Sequence, residues 1–420
     1  MLARSPMADI NLDPVQEQAV TKIVKWLDNY AYDRKQPIMR MIGAAGTGKT
    51  TILREVKKRT SRRLQFMAFA GKAAMVLRSK GCDGAETIHK TLYEPRGQSV
   101  KHYREELAKL EGMTNAADRA TQEAKLEQMR LAMATPGFVK RLGSEFHRET
   151  AFGLDEVSMV DRWLGEDTLS YGFPVLAVGD PCQLPPIMGT GFFFPPGYKA
   201  DIELTQVHRQ AAGSPVLRLA THVRGGGTLP YGRMGDSAVV AKMSLAEYAE
   251  FDQVLCGTNK MRTQVNMALR KLKGRVKVLE AGEKLICLQN NYEVGVMNGS
   301  QWEVLKCEHW VDGKGNQFYR AHIKSLDDPT IKPFLALIHL NPLLEGRPQF
   351  DKHWTPMLSG HPQALVMTYG YAMTVHKSQG SQWGSVVVLD DWTGSNYKEW
   401  LYTGLTRAAE RVTLVRAQGK

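Results

Sequence analysis

Gly43-Ala44-Ala45-Gly46-Thr47-Gly48-Lys49-Thr50 is the stretch on which the reading of this chain turns. It satisfies G-x-x-x-x-G-K-[ST], the phosphate-binding P-loop, and its setting is the one that motif requires. An apolar run, Pro37–Ile42, leads into it as a strand, and Thr51–Arg59 leaves it with helical composition. Glycines at 43, 46 and 48 give access to backbone angles that other residues reject, so successive N–H groups can turn toward phosphate oxygens. The helix that follows offers its positive end to the same anion. Lys49 is placed to reach the β- and γ-phosphates and the Thr50 hydroxyl to bind Mg2+, while Thr51 completes the set. Residues Gly43 through Thr51 are therefore expected to hold a nucleoside triphosphate.

Working outward, Asn11-Leu12-Asp13-Pro14 reads as a helix start, with Asn11 or Asp13 as the cap and Pro14 in the first turn. That helix is predicted to run to about Asn29. Beyond the P-loop, Leu64–Ala70 reads as a buried strand and Lys72–Lys80 as a helix. The alternation predicts a parallel α/β sheet. From Lys90 to Arg148 the rhythm breaks. Arg104–Ala134 is rich in Glu, Lys, Arg, Ala, Leu and Met and is predicted as an inserted helical subdomain. The α/β pattern resumes at Ala151–Glu156 and Phe173–Val178, and a linker is expected near Ala211–Pro215.

A second α/β set begins at Gln253–Cys256 and ends with Val386–Leu389 and Arg411–Val415. Within it, Ala281–Gln363 is strand- and turn-rich, with alternations such as Gln301-Trp302-Glu303-Val304, and is predicted as a small β-barrel. The expected division is 1–89 with 149–213 for the first α/β domain and 90–148 for its insertion. The second domain takes 214–280 with 364–420, interrupted by 281–363.

The composition agrees with a multidomain protein. At 420 residues more than one core is expected. The 55 basic and 43 acidic residues leave a net charge of +12, which favours a polyanionic partner. Five scattered cysteines form no C-x-x-C pair, so neither structural zinc nor a disulfide framework is expected, in keeping with a reducing cytoplasm. No stretch of eighteen apolar residues and no secretory leader pattern is read, so no membrane association is expected.

Five further blocks carry chemistry. Leu154-Asp155-Glu156 closes a strand with paired carboxylates; Asp155 suits a Mg2+ ligand and Glu156 a group that positions or deprotonates water. Val178-Gly179-Asp180-Pro181-Cys182-Gln183-Leu184-Pro185-Pro186 ends a strand in Gly-Asp and fixes Gln183 between prolines, as a γ-phosphate sensor would need. Leu204–Gln210 places Arg209 just before the linker. Tyr371–Gln382 and Leu401–Ala408 complete the set, the latter carrying Arg407.

In order, these blocks resemble the motifs of superfamily 1 helicases. Their wording (DEVSMVD, GDPCQLPP, LTQVHRQ, TVHKSQGSQW, LYTGLTRA) is similar to the RecD and Dda branch rather than the UvrD and Rep branch. The resemblance spans Asn11 to about Arg416. It implies two RecA-like P-loop domains, with a helical insertion in the first at the place of the branch's strand-separating wedge, and an SH3-like barrel in the second. It implies ATP and Mg2+ as ligands, Gln16 as the adenine reader, and Arg209 and Arg407 as arginine fingers stabilising charge on the transferred phosphoryl group.

It also implies a nucleic-acid track across both domains. In the first domain the implied contacts are Phe69, Gly71, Lys72, Thr87, His89 and Lys90. In the second, Thr258, Asn259, Asn298, Gly299, Thr374, His376 and Lys377 resemble strand-contacting or motif-supporting positions. At Phe69-Ala70 the chain departs from the branch's Ala-Pro-Thr wording, which leaves backbone N–H contacts to phosphate at that place. The implied activity is ATP-driven 5′-to-3′ movement on single-stranded DNA and opening of single-strand/duplex junctions, by a cytoplasmic monomer serving replication or recombination proteins.

Four other readings make different demands on the sequence, and one of them, a nuclease fused to the motor, lacks the extra carboxylate cluster it would need. A GTPase requires Asn-Lys-x-Asp, and Asn259-Lys260-Met261-Arg262 has Arg where Asp belongs. An RNA helicase of the same superfamily differs in which nucleic acid stimulates the ATPase. A loading protein switched by ATP would bind nucleotide with little turnover.

Overall fold

The computed structural model describes residues 12–30, 37–95, 138–141, 146–186, 189–205, 213–291, 294–351 and 360–416, with isolated positions between 106 and 126 and at 143, 354 and 356. Its first sheet has six parallel strands in the order Glu86–Thr87, Arg63–Ala68, Thr150–Asp155, Val175–Gly179, Ile38–Gly43 and Ile202–Leu204. Thr150–Asp155 and Val175–Gly179 are buried along their whole length, as strands covered on both faces must be. Side chains alternate between two cores: Phe66 and Ala68 pack with Met41, Ile52 and Leu53, whereas Met67 packs with Phe152, Leu154 and Val175 on the other face. Because the strands are parallel, the P-loop after Gly43, the carboxylates at 155–156 and the loop after Gly179 all emerge at the sheet's carboxyl edge.

The first helix spans Pro14–Asp28, and Asp13 is its cap, accepting the Val15 and Gln16 N–H groups. The second sheet orders Ala372–Thr374, Gln253–Cys256, Trp383–Leu389, Ala408–Val415, Ser237–Val240 and Gly232–Met234; only the last is antiparallel to its neighbour. The two sheets are those of RecA-like domains. Ser237–Val240 and Gly232–Met234 precede the point where the sequence signal for the second set begins, since strands of four and three residues carry too few alternations to register.

A third sheet, wholly antiparallel, orders Phe334–His339, Gln317–Ser325, Gln301–Val311, Lys284–Cys287 and Met367–Tyr369. Its fifth strand lies outside the expected 281–363. Gly370 is where the chain leaves it for the second α/β sheet. A Cβ there would stand 3.0 Å from the Leu285 carbonyl carbon, so a larger residue would press on the neighbouring backbone at the crossing.

The insertion in the first domain differs from its expectation at the base. Tyr93–Pro95 and Phe138–Lys140 form an antiparallel two-stranded ribbon, and the described residues between them include helical ones at 106–107, 118–119 and 122–123. Three-residue strands left no period-two signal in a helix-rich stretch. Among the described residues, no helix is long and apolar enough to cross a membrane.

Candidate nucleotide cleft and nucleic-acid track

The P-loop folds as a cradle because its residues have complementary constraints. Gly46 and Gly48 both sit at φ 81°, in the left-handed region. Gly43 does not: the expected need for special angles fails there, and the constraint is steric instead. A Cβ on Gly43 would lie 2.5 Å from Thr47 Oγ1 and 3.0 Å from Leu204 Cβ. Thr47, buried, donates its hydroxyl to the Ala44 carbonyl at 2.9 Å and ties the loop to itself. The helix Lys49–Arg59 starts at this point, with its first N–H groups uncapped by any side chain. Lys49 Nζ donates to the Gly43 and Ala44 carbonyls at 2.9 and 3.0 Å, so two of its three N–H donors brace the loop.

Ala45, Gly46, Gly48, Lys49, Thr50 and Thr51 line one cleft of about 410 Å³ with Asp155, Glu156 and Gln183. The second lobe closes it with Gly380, Ser381, Gln382, Thr406 and Arg407. Gly43, Ala44 and Thr47 shape the loop from behind. Asp155 is buried, and burial together with the neighbouring Glu156 charge pushes its carboxyl up, while Lys49 and Lys80 pull it down. Thr50 and Asp155 offer hard oxygen donors on one wall of the cleft, so the residues fit Mg2+. Among the described residues there is no group of three or more His, Cys, Asp or Glu that could hold a metal unaided. An ion sharing phosphate oxygens needs none. Glu156 stands at φ 55°, the single non-glycine residue with positive φ among those described. Such strain is retained where the surrounding structure dictates it, and it clusters at functional sites.

Arg407 is buried and fully engaged. It donates to the Thr403 and Ser381 carbonyls at 3.1 and 3.2 Å, to Thr406 Oγ1 at 3.3 Å, and across the cleft to Gln183 Oε1 at 3.4 Å. The two lobes therefore already meet through the pair that the motifs single out. Arg209 lies outside the described residues.

Gln16 sits directly against the P-loop. Its amide accepts the Asp13 N–H at 3.3 Å as the return half of a capping box and donates to the Thr47 carbonyl at 3.3 Å. One amide thus serves both the helix cap and the P-loop, its oxygen on the first and its nitrogen on the second, and Gln16 buttresses the loop from the side of the first helix.

Comparison with known proteins agrees with this geometry. The AAA domain family matches the chain over residues 11–240. The chain belongs to that family. Residues 369–415 match the UvrD-like helicase C-terminal domain. An ATP-dependent RecD2 DNA helicase of Deinococcus radiodurans is 27% identical over 289 residues, 61% of this chain and 35% of that protein. The chain thus spans only 35% of the length of that relative. A Pif1 helicase structure from Candida albicans has the same fold at 16% identity and TM-score 0.55, covering 97% of this chain and 94% of that one. A Bacteroides Pif1 helicase in complex with ADP-AlF3 and single-stranded DNA gives 17% identity and TM-score 0.50, covering 96% and 92%. These likenesses are in line with the resemblance to the RecD-like branch of superfamily 1 read from the motifs.

In this member of the AAA domain family, the residues expected to contact nucleic acid fall into three neighbourhoods. Phe69 and His89 pack edge to face at 6.3 Å, and Tyr93 continues the row at 5.8 Å. Gly71, Lys72, Gly299 and Lys377 meet at the boundary between the lobes. A Cβ on Gly71 would lie 2.9 Å from Asn290 Oδ1 and Met297 Cβ, and one on Gly299 (φ 85°) 3.9 Å from Lys72 Cβ. Asn298, exposed, forms the turn beside them. Thr258 and Asn259, both exposed, start the helix Asn259–Leu272, and Thr258 is bonded to Asp391, next to Trp392, whose ring lies 5.0 Å from that of His376.

Three of these side chains are engaged within the protein. Lys72 is buried, paired with Asp327 at 2.9 Å and set 4.8 Å from the Trp383 ring, so its ammonium is spent on the other lobe. Thr87 is buried and uses its hydroxyl to cap the helix Ile88–Leu92. Thr374 is buried and accepts the Lys377 N–H at 3.3 Å, supporting the turn that exposes Lys377. Lys90 is ion-paired with Glu86. Sequence reading missed Lys80, Ser381, Gln382 and Thr406 in the cleft, and Tyr402 and Thr403 behind it. Tyr402 stood inside a quoted motif; Lys80, at the end of a helix, gave no signal.

Proposed function

We propose that the protein is an ATP-dependent DNA helicase that translocates 5′ to 3′ on single-stranded DNA and separates strands at single-strand/duplex junctions. The observation that carries this is the shared cleft: P-loop, carboxylate pair and Gln183 on one lobe face Arg407 on the other. A site divided between two RecA-like lobes converts nucleotide occupancy into relative movement of those lobes.

In this reading the P-loop N–H groups and Lys49 bind the phosphates, and Thr50 with Asp155 holds Mg2+, which supplies charge neutralisation at the phosphates. Glu156 orients and deprotonates the attacking water, as its position beside Asp155 supports. Gln183 and Arg407, joined across the cleft, sense the terminal phosphate and stabilise its developing charge; Arg209 is assigned the second finger. Phe69 and His89 offer faces for base stacking, and Gly71, Asn298, Gly299 and Lys377 line a backbone track between the lobes. We assign 1–89 with 149–213 and 214–280 with 364–420 to the two motor domains. The ribbon-based insertion at 90–148 takes the wedge position, and 281–363, extended by Met367–Tyr369, the SH3-like unit.

The deciding experiment is unwinding of duplexes carrying a 5′ or a 3′ single-stranded tail, with ATPase measured on DNA and RNA oligonucleotides. The expected result is ATP-dependent opening of the 5′-tailed DNA duplex and ATPase stimulated by DNA. Opening only from a 3′ tail would overturn the polarity. ATPase indifferent to oligonucleotide would overturn the motor itself.

A further inference from the structure

The loop after the strand Val175–Gly179 is held by the opposite lobe at every residue that matters. Leu184 donates its N–H to Thr403 Oγ1 at 2.9 Å, Gln379 Nε2 donates to the Leu184 carbonyl at 3.3 Å, and Arg407 reaches Gln183. The grip begins at Asp180, which is wholly buried. The Tyr402 hydroxyl, also buried, donates to Asp180 Oδ2 at 2.6 Å, and the Cys182 N–H donates to the same carboxylate at 3.1 Å. Arg224, again from the second lobe, is within electrostatic reach of both.

The Tyr402 oxygen has a second partner. It accepts the Ala45 N–H at 3.4 Å, and Ala45 belongs to the phosphate cradle. One phenol from the second lobe thus touches the P-loop and the sensor loop of the first. Its hydroxyl carries one donor and two acceptor positions, so both bonds form at once. Burial and the Asp180 charge push the Tyr402 phenol up, so it stays protonated and remains the donor. Tyr402 and Thr403 lie on the helix Tyr397–Leu405, and Arg407 follows two residues later. Any rotation of that helix moves all three together.

We propose that Tyr402 is a positioning residue: through Asp180 and the Ala45 N–H it sets the sensor loop and the P-loop in register when the lobes close, so that Gln183 and Arg407 align on the terminal phosphate. This rests on the motor reading above and adds to it a contact that acts on the closed state rather than on nucleotide capture. Nucleotide capture belongs to first-lobe groups; alignment belongs to the cross-lobe phenol.

The test compares wild type, Tyr402→Phe, Asp180→Asn and the double variant in the full chain. With the hydroxyl's bonds to the Asp180 carboxylate and from the Ala45 N–H both removed, DNA-stimulated kcat in Tyr402→Phe should fall about tenfold, while KM for ATP stays within about twofold. Asp180→Asn, which takes the charge from that contact and turns one of its two acceptor oxygens into an NH2 donor, should lose a similar or smaller factor, and the double variant no more than Tyr402→Phe alone, because both act on the same contact. Amide exchange across Gly43–Gly48 with a non-hydrolysable ATP analogue bound should be faster in Tyr402→Phe, a readout that does not depend on Asp180→Asn folding well. Unchanged kcat in Tyr402→Phe, losses that multiply, or a loss falling wholly on KM would overturn the proposal. Wild type that shows no stimulation by DNA would instead overturn the motor reading, so the two failures are distinct.

Discussion

Glu156 shows most clearly how one position is bent to its task. Its side chain is needed next to Asp155, yet its backbone sits at φ 55° and ψ 42°, where L-residues other than Asn and Asp rarely rest. Two substitutions separate chemistry from strain. Glu156→Gln keeps shape and strain and should abolish DNA-stimulated ATPase with DNA binding preserved, as should Lys49→Ala; normal hydrolysis in either would refute the site. Glu156→Gly is expected to be equally inactive but more stable than Glu156→Ala by about 1 kcal/mol in chemical denaturation, because glycine adopts this conformation without a Cβ penalty. The motif identified both residues from spacing alone. The strain at Glu156 was invisible to it, because φ is imposed by the sheet edge and not by residue type.

At the scale of elements, the helix Gly71–Ser79 and the antiparallel sheet are where residue-by-residue inheritance gave way. Lys72 was expected on nucleic acid, but the packing of this helix against the 290–299 turn and Gly380 buries it, and the loop after Gln317–Ser325 supplies Asp327 as its counter-charge. Removing one member of such a pair strands the other. Asp327→Ala should therefore cost about 3 kcal/mol in denaturant unfolding, and the double change Lys72→Met with Asp327→Leu clearly less. A fully additive pair would refute the burial argument. The same sheet should weaken in acid. His339 is buried among the rings of Phe318 and Trp354, and burial, then His361, hold it down from 6.5 to about 4. Above 6.5 it is neutral in both states. Between 6.5 and about 4 the unfolded chain takes a proton that the folded one refuses, so stability falls as pH falls, by up to about 3 kcal/mol. His339→Gln should flatten that part of the stability–pH curve; an unchanged slope would count against it.

For the molecule as a whole, a net charge of +12 and a track built on backbone contacts predict affinity for single-stranded DNA that falls steeply with salt and varies little with base sequence. Titrations of labelled oligonucleotides across salt concentrations check this; a flat salt profile would mean that the track is not electrostatic. What the sequence determined by itself was local chemistry. A glycine-rich loop between strand and helix, paired carboxylates ending a strand and an arginine after LYTGLT announce themselves because neighbours in sequence are there neighbours in space. What only the tertiary structure decided was who meets whom across the lobes. Tyr402 on Asp180, Tyr402 on Ala45, Lys72 on Asp327, and Gln16 beneath the P-loop are separated by 222, 357, 255 and 31 positions in the numbering of the chain. No spacing rule reaches that far, because such contacts are set by the docking of sheets and helices whose burial the whole chain stabilises.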